Sequence, residues 1–279
     1  MIRSVKKTVT GNRAVDGAGV KLVRVIGHND VEDFDPFLMF DAFDSKDPED
    51  YIKGFPWHPH RGIETVTYLI EGNIEHGDSL GNKGSILSGC CQWMTAGSGI
   101  MHQEMPKVSE RMLGAQLWLN MPKAYKMSEP KYCDITRDMV PVVVEKNNTI
   151  RVISGNYKDN SSSVYGDFVK MTYLDVYMKE NSEWNMAVDS KHTVFVYIVE
   201  GKGYFGDFSS KFESRRALLF GEGDEIAVKT GDSEMRFFLY SAEPLKEPVA
   251  WGGPIVMNTR EELNAAFNEL REGTFIKHE

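Results

Sequence analysis

The chain has 279 residues, 41% hydrophobic and 26% charged, with a formal net charge of -9. That length exceeds the usual size of one domain, so two are expected, and no apolar run approaches the length of a membrane span. The acidic balance argues against direct binding to nucleic-acid phosphates, which depends on a basic surface.

The amino terminus, Met1 to Lys7, is followed by no apolar h-region, which speaks against a secretory signal. Residues 19–27 are the first of several short runs rich in β-branched or aromatic residues and closed by Gly or Asn. Residues 64–72 and 114–120 are others, and the texture is that of a β-barrel or sandwich. Between the first two runs lies Trp57-His58-Pro59-His60-Arg61-Gly62-Ile63-Glu64. Side chains alternate faces along a strand, so His58 and His60 point one way and Pro59 the other; His102 and Glu104 do the same further on. Taken singly, each histidine is as well explained as a surface or core residue of a β-protein. If the two strands are neighbours, two correctly spaced pairs bring four ligands together and read instead as a mononuclear metal site. An imidazole-rich set with one carboxylate and no thiolate suits iron, manganese, nickel, copper or catalytic zinc better than a closed structural zinc site. Four protein ligands on an octahedral ion leave about two positions open. Of the three cysteines, Cys90 and Cys91 are adjacent. No regular disulfide framework follows, which fits a reducing cytoplasm, and the pair reads as small buried strand residues before it reads as a redox couple.

Met121-Pro122-Lys123 opens a polar stretch through Pro130 that buries little, and strand texture resumes at Val142-Val143-Val144 and residues 150–155. A boundary there gives an amino-terminal metal-binding barrel over 1–130 and a second barrel over 131–279. Residues 193–201 repeat both the pattern and the Glu-Gly ending of residues 65–72. Gly221-Glu222-Gly223-Asp224 reads as a turn entering another strand, so the halves look duplicated. Only His192 lies near the matching strand of the second half. One imidazole does not hold a metal, so that barrel is expected to bind none and His192 to be structural or exposed. Thr259 with Glu262 three residues on resembles a capping box. Leu263, Ala266, Phe267 and Leu270 follow on one helical face, which predicts a helix over 259–272, ending near Gly273 and packing on the barrel.

Residues 58–66 together with residues 92–106 resemble the pirin family of the cupin superfamily. The likeness extends upstream to Asp35-Pro36-Phe37-Leu38 and Phe40-Asp41, and to Trp251-Gly252-Gly253-Pro254 before the terminal helix, so it spans most of the chain. It implies an all-β fold of two stacked cupin barrels, each a double-stranded β-helix or jelly-roll, with metal in the amino-terminal one alone. Iron is the ion the resemblance implies; manganese, nickel, copper, cobalt and zinc stay open. His58, His60, His102 and Glu104 fall on the family's ligand positions. Many cupins use instead the glutamate of His-X-His-X-X-X-Glu, here Glu64. Pirins are similar but take the carboxylate from the position of Glu104, which leaves Glu64 to support the ligands or to hydrogen-bond within its strand. Gly89-Cys90-Cys91 departs from the Gly-Asp type of turn common in relatives, which bears on the local loop and not on the ligands.

The resemblance further implies quercetin 2,3-dioxygenase-type chemistry, in which a flavonol's central ring is opened with O2 and carbon monoxide is released. In that reading the cation lowers the pKa of the flavonol 3-hydroxyl and Glu104 serves as general base. Trp93, Met94, Phe43 and Met39 are candidate walls for a flat aromatic ligand, although large apolar side chains mostly belong to cores. Animal relatives linked to transcription-factor regulation imply the alternative, an iron-dependent redox-sensing module acting through a protein partner, since an acidic chain without a basic arm does not read DNA directly. A structural protein with a vestigial metal is disfavoured because all four ligand types are intact.

Overall fold

Wherever β-branched and aromatic residues alternate with polar ones the chain runs as strand. The computed structural model, which describes residues 1–278, is all-β apart from Val31–Phe34, a few 3-10 turns and the helix Arg260–Glu272. Two compact units result. One comprises Asn12–Val31, Pro36–Arg137 and Leu245–Glu279, the other Met1–Gly11, Glu32–Asp35 and Asp138–Pro244. This division differs from a single cut after residue 130. The main break falls at Arg137, and each terminal segment clusters with the opposite half.

The first strand, β1 (Val5–Thr10), pairs with Arg216–Phe220 and so belongs to the second of these units. The histidine-bearing unit is built from β2 (Asn12–Asp16), β3 (Val20–Ile26), β4 (Phe37–Ser45), β5 (Phe55–His60), β6 (Ile63–Glu71), β7 (Asn73–Asp78), β8 (Lys83–Leu87), β9 (Cys91–Thr95), β10 (Ile100–Pro106), β11 (Met112–Asn120) and β12 (Lys131–Ile135). Seven of these form one sheet in the order β12-β9-β6-β11-β4-β3-β2, and four form another, β5-β10-β7-β8; neither closes on itself. Phe43 and Leu69 from the larger sheet meet Ile74 and Ile86 from the smaller in a buried cluster, so the interior lies between the two inner faces. Each such side chain withdrawn from water contributes about 1.5–3 kcal/mol.

The other unit has a nine-stranded sheet centred on two long strands, Thr193–Phe205 and Glu225–Ala242. Here the Glu-Gly pattern behaves differently from the expectation. After Glu71, β6 stops at Gly72, whereas the strand through Glu200-Gly201 continues to Phe205, its register slipping on either side of Gly201. Gly201 has φ +80°, and a Cβ there would lie 2.2 Å from the Glu234 carbonyl oxygen. The same two residues thus end a strand in one unit and bend it in the other, through a bulge that glycine permits.

The terminal helix has the expected cap. Thr259 Oγ1 accepts from the Glu262 N–H at 3.1 Å, Glu262 Oε2 accepts from the Thr259 N–H at 3.0 Å, and Gly273 closes the helix at φ 72°. Leu263 and Ala266 bury against Ile255, Met257 and Phe275 within the histidine-bearing unit. Among the described residues, no helix is long and apolar enough to cross a membrane.

Candidate metal centre

Antiparallel pairing of β5 with β10 sets His58 opposite His102 and His60 opposite Ile100. The alternation of strand side chains then brings three rings together, with centroid separations of 4.8 Å for His58–His60, 4.3 Å for His58–His102 and 4.9 Å for His60–His102. His60 and His102 are buried and His58 is half-buried. His58 Nδ1 bonds the Pro56 carbonyl at 2.8 Å and His60 Nδ1 bonds the Pro254 carbonyl at 3.0 Å. A carbonyl only accepts, so each Nδ1 carries a proton, and in a neutral ring that leaves the lone pair on Nε2. Those two Nε2 atoms face each other at 3.1 Å, and the buried Nε2 of His102 has no hydrogen-bond partner. Burial, then neighbouring His58, pushes His60 down to about 3, and burial with both neighbouring imidazoles holds His102 well below the usual range. Three imidazoles converging in this way are a donor set suited to a cation, and one ligand atom from each lies within 4.8 Å of the others.

Glu104 stands outside that trio but in the same cavity. The register of β10 slips between His102 and Glu104. The buried carboxylate is then clamped by the Gln116 amide, whose Nε2 donates to both oxygens at 2.9 Å, with Thr67 Oγ1 donating to Oε1 at 3.3 Å. Trp118 Nε1 donates to Gln116 Oε1 at 3.4 Å, which fixes the orientation of that amide. Glu64 is fully buried, accepts from Thr95 Oγ1 at 2.7 Å and does not line the cavity.

The clamp is part of a longer feature. Cross-strand partners across the seven-stranded sheet place Arg24, Asp41, Gln116, Thr67, Gln92 and Asp134 in a single row, spanning β3, β4, β11, β6, β9 and β12. Arg24 forks onto Asp41 at 2.9 and 2.8 Å and reaches Asp16 at 2.7 Å. Burial pushes Asp41 up to about 6 against the pull of that guanidinium. At the other end, the Tyr132 hydroxyl bonds His76 and the Gln92 amide. Polar groups in a dry interior call for such partners, and here neighbouring strands supply most of them, with Gln92 Oε1 left without one.

The cavity above the histidines measures about 660 Å³. Of the expected walls it includes Met39 alone. Trp93 is paired with Val66, one residue out of phase with the inward row; Met94 lies in the core beneath with Leu38 and Ile63; and Phe43 packs in the cluster with Leu69. The walls are instead Trp118, Trp251, His28 and Phe55, with the His28 and Trp251 rings stacked 3.7 Å apart. Trp251 had a sequence signal only as part of Trp251-Gly252-Gly253-Pro254, and nothing in that pattern pointed to a cavity. His192 bonds Ser241 Oγ at 3.0 Å, and its carbonyl accepts from Arg3 at 2.8 Å, a structural role. Cys91 is buried in β9 and Cys90 half-buried in the turn before it, both as free thiols.

Such a fold and site define a two-unit β-protein of the cupin kind, with an imidazole cluster able to hold a metal. Family models described as pirin and as the pirin C-terminal cupin domain match residues 19–119 and 173–276. A pirin-like protein of Caulobacter vibrioides is 39% identical over 98% of this chain and 99% of its own length. The chain belongs to the pirin family. A quercetin 2,3-dioxygenase of Acinetobacter baumannii, solved as a crystal structure, is 28% identical and superposes with a TM-score of 0.89 over 99% of both chains. A bacterial pirin of Escherichia coli solved in complex with nickel(II) is 22% identical, with a TM-score of 0.65 over 85% of this chain and 99% of that one, a likeness of fold alone.

Proposed function

We propose that this protein is a metal-dependent dioxygenase that opens flavonols such as quercetin with O2, with iron held by His58, His60, His102 and Glu104. The observation that carries the reading is the convergence of three imidazoles, with the Nε2 atoms of His58 and His60 3.1 Å apart, at the base of an aromatic-lined cavity. A Lewis-acid position there lies beneath walls suited to a flat ring system. Bound in that position, a redox-capable ion supplies acidity toward the flavonol 3-hydroxyl and an electron path to O2. Glu104 receives the hydroxyl proton in this reading, and Gln116 holds the carboxylate so that no reorientation is needed when the proton arrives. Trp118 and Trp251 hold the ring plane and keep water from the base of the cavity. The Acinetobacter relative described as a quercetin 2,3-dioxygenase supports the substrate class. The E. coli pirin was solved with nickel(II), and an imidazole-rich set also accepts manganese, copper, cobalt and zinc.

The test is to load the chain with Fe(II), add quercetin under O2, and follow both the flavonol absorbance and carbon monoxide. Consumption of quercetin is expected, with the zinc-loaded form inactive because zinc has no redox chemistry. Glu104→Gln should lose turnover and Glu64→Gln should retain it; the reverse would move the carboxylate assignment to Glu64. Iron-loaded protein that leaves quercetin and its relatives untouched would reject the enzyme and put forward the regulatory module with a protein partner.

A further inference from the structure

His60 is oriented by a part of the chain remote from it in sequence. Its Nδ1–H donates to the Pro254 carbonyl, and that carbonyl is placed by a short parallel bridge in which Arg61 pairs with Ile255 and the Val256 N–H donates to the Arg61 carbonyl at 3.1 Å. The approach is close enough to need a glycine next door. Gly62 has φ +75°, and a Cβ on it would stand 2.0 Å from the Val256 carbonyl oxygen.

Arg61 is itself only 2% exposed. Its Nε donates to the Ser98 carbonyl at 2.6 Å, and its Nη2 donates to Glu269 Oε2 at 2.6 Å and to the Phe275 carbonyl at 2.9 Å. The guanidinium also lies over the Phe275 ring, 4.2 Å from its centroid. One side chain therefore joins the residue after a ligand, the loop before β10, and the end of the terminal helix. The hairpin that carries Pro254 is packed against that helix, with Ile255 and Met257 touching Leu263 and Ala266, and Gly252 against Leu263 and Phe267. Packing alone would be served as well by an apolar residue, since replacing a buried ion pair with hydrocarbon is often neutral or stabilising. What the fork adds is a fixed geometry.

We propose that Arg61 and the carboxy-terminal segment it holds are positioning elements of the metal centre. The Arg61–Glu269 pair fixes the helix and hairpin, the hairpin fixes the Pro254 carbonyl, and the carbonyl fixes the tautomer and tilt of His60. The inference rests on the metal reading above. It makes metal affinity depend on Glu269, a residue that does not touch the ligands.

Co(II), titrated into the full chain, is the probe, because its d–d absorption records ligand geometry, with circular dichroism establishing that each variant is folded at the temperature used. Glu269→Ala and Arg61→Lys are expected to weaken Co(II) binding within the ~10 to 100-fold range typical for loss of a partner behind a ligating histidine, and to shift the band. Glu269→Gln, which keeps an acceptor oxygen for Arg61, is expected to restore most of the affinity and the band position. Wild-type affinity and an unshifted band in both Glu269→Ala and Arg61→Lys, with only the melting temperature lowered, would overturn the inference and leave the segment as packing. A wild-type chain that does not bind Co(II), or binds it unchanged after His60→Ala, would instead remove the metal reading itself.

Discussion

Across the centre of the histidine-bearing unit the strands present Asp41, Gln116, Thr67 and Gln92 side by side. Across the centre of the other unit the corresponding kind of row is Val152, Leu174, Leu239, Val196 and Leu218, all fully buried in one hydrocarbon cluster with Phe237 and Trp184. Both rows run over antiparallel ladders that differ little as backbones. The difference lies in what each row obliges its neighbours to be. An apolar row is completed by packing, to the density of an organic crystal, and leaves no room for a reactant. A polar row calls for hydrogen-bond partners, and here Gln116 and Thr67 find theirs in the Glu104 carboxylate, which they hold at the edge of an open space. The candidate site thus draws on both sheets of its unit, the ligating side chains coming from β5 and β10 and the clamp on Glu104 from the polar row of the larger sheet.

The comparison breaks most sharply at the histidines. His102→Ala should reduce affinity for a first-row divalent ion by more than the ~10 to 100-fold of an outer partner, with His192→Ala leaving it unchanged; equal metal content by elemental analysis in wild type, His58→Ala and His102→Ala would dissolve the distinction between the units. In the other direction, Phe237→Ala should cost about 3–5 kcal/mol in denaturant unfolding, because its cavity is lined by a filled core, yet leave Co(II) binding as it was. Gln116→Leu sharpens the contrast by importing one residue of the apolar kind. It strips the donor from both Glu104 oxygens, and metal binding measured by titration should weaken by ~10 to 100-fold with the fold retained.

The smallest effect concerns Lys126, buried in the same unit, whose Nζ donates to the Gly62 carbonyl at 2.7 Å, Asn120 Oδ1 at 2.6 Å and the Val256 carbonyl at 3.0 Å. Lys126→Met should cost about 1–3 kcal/mol by leaving those acceptors unserved. Burial pushes the ammonium down to about 7, below the ~10.4 of an unfolded lysine. Between those values the unfolded chain binds more protons, so this group's contribution makes stability rise with pH from about 7 to about 10. Unfolding free energies across that window should flatten in Lys126→Met, and an unchanged slope would assign it to other groups.

What the sequence made legible was whatever depends on short periods. The His58, His60 and His102 convergence follows from alternation within two strands, and the Thr259 cap from a four-residue pattern, so both could be read locally. Glu104 was legible as a candidate, but its clamp was not: Gln116 and Thr67 are ordinary strand residues until the register between β6 and β11 sets them opposite one another. The cavity walls failed for a related reason. Size alone makes Trp93 a candidate wall, whereas its phase on β9 turns it from the inward row. The Pro254 contact had no signal at all, because a carbonyl is present in every residue and only the tertiary path selects one.

That path has a temporal side. The histidine strands are made early, and Pro254 arrives only after most of the other unit has been synthesised. At ordinary rates of synthesis roughly 8 to 30 seconds separate His102 from Pro254. Through that interval His60 lacks the Pro254 carbonyl that holds its ring. For the proposed site, selection among competing metals would then fall to a chain in which the Pro254 segment has already folded back onto His60.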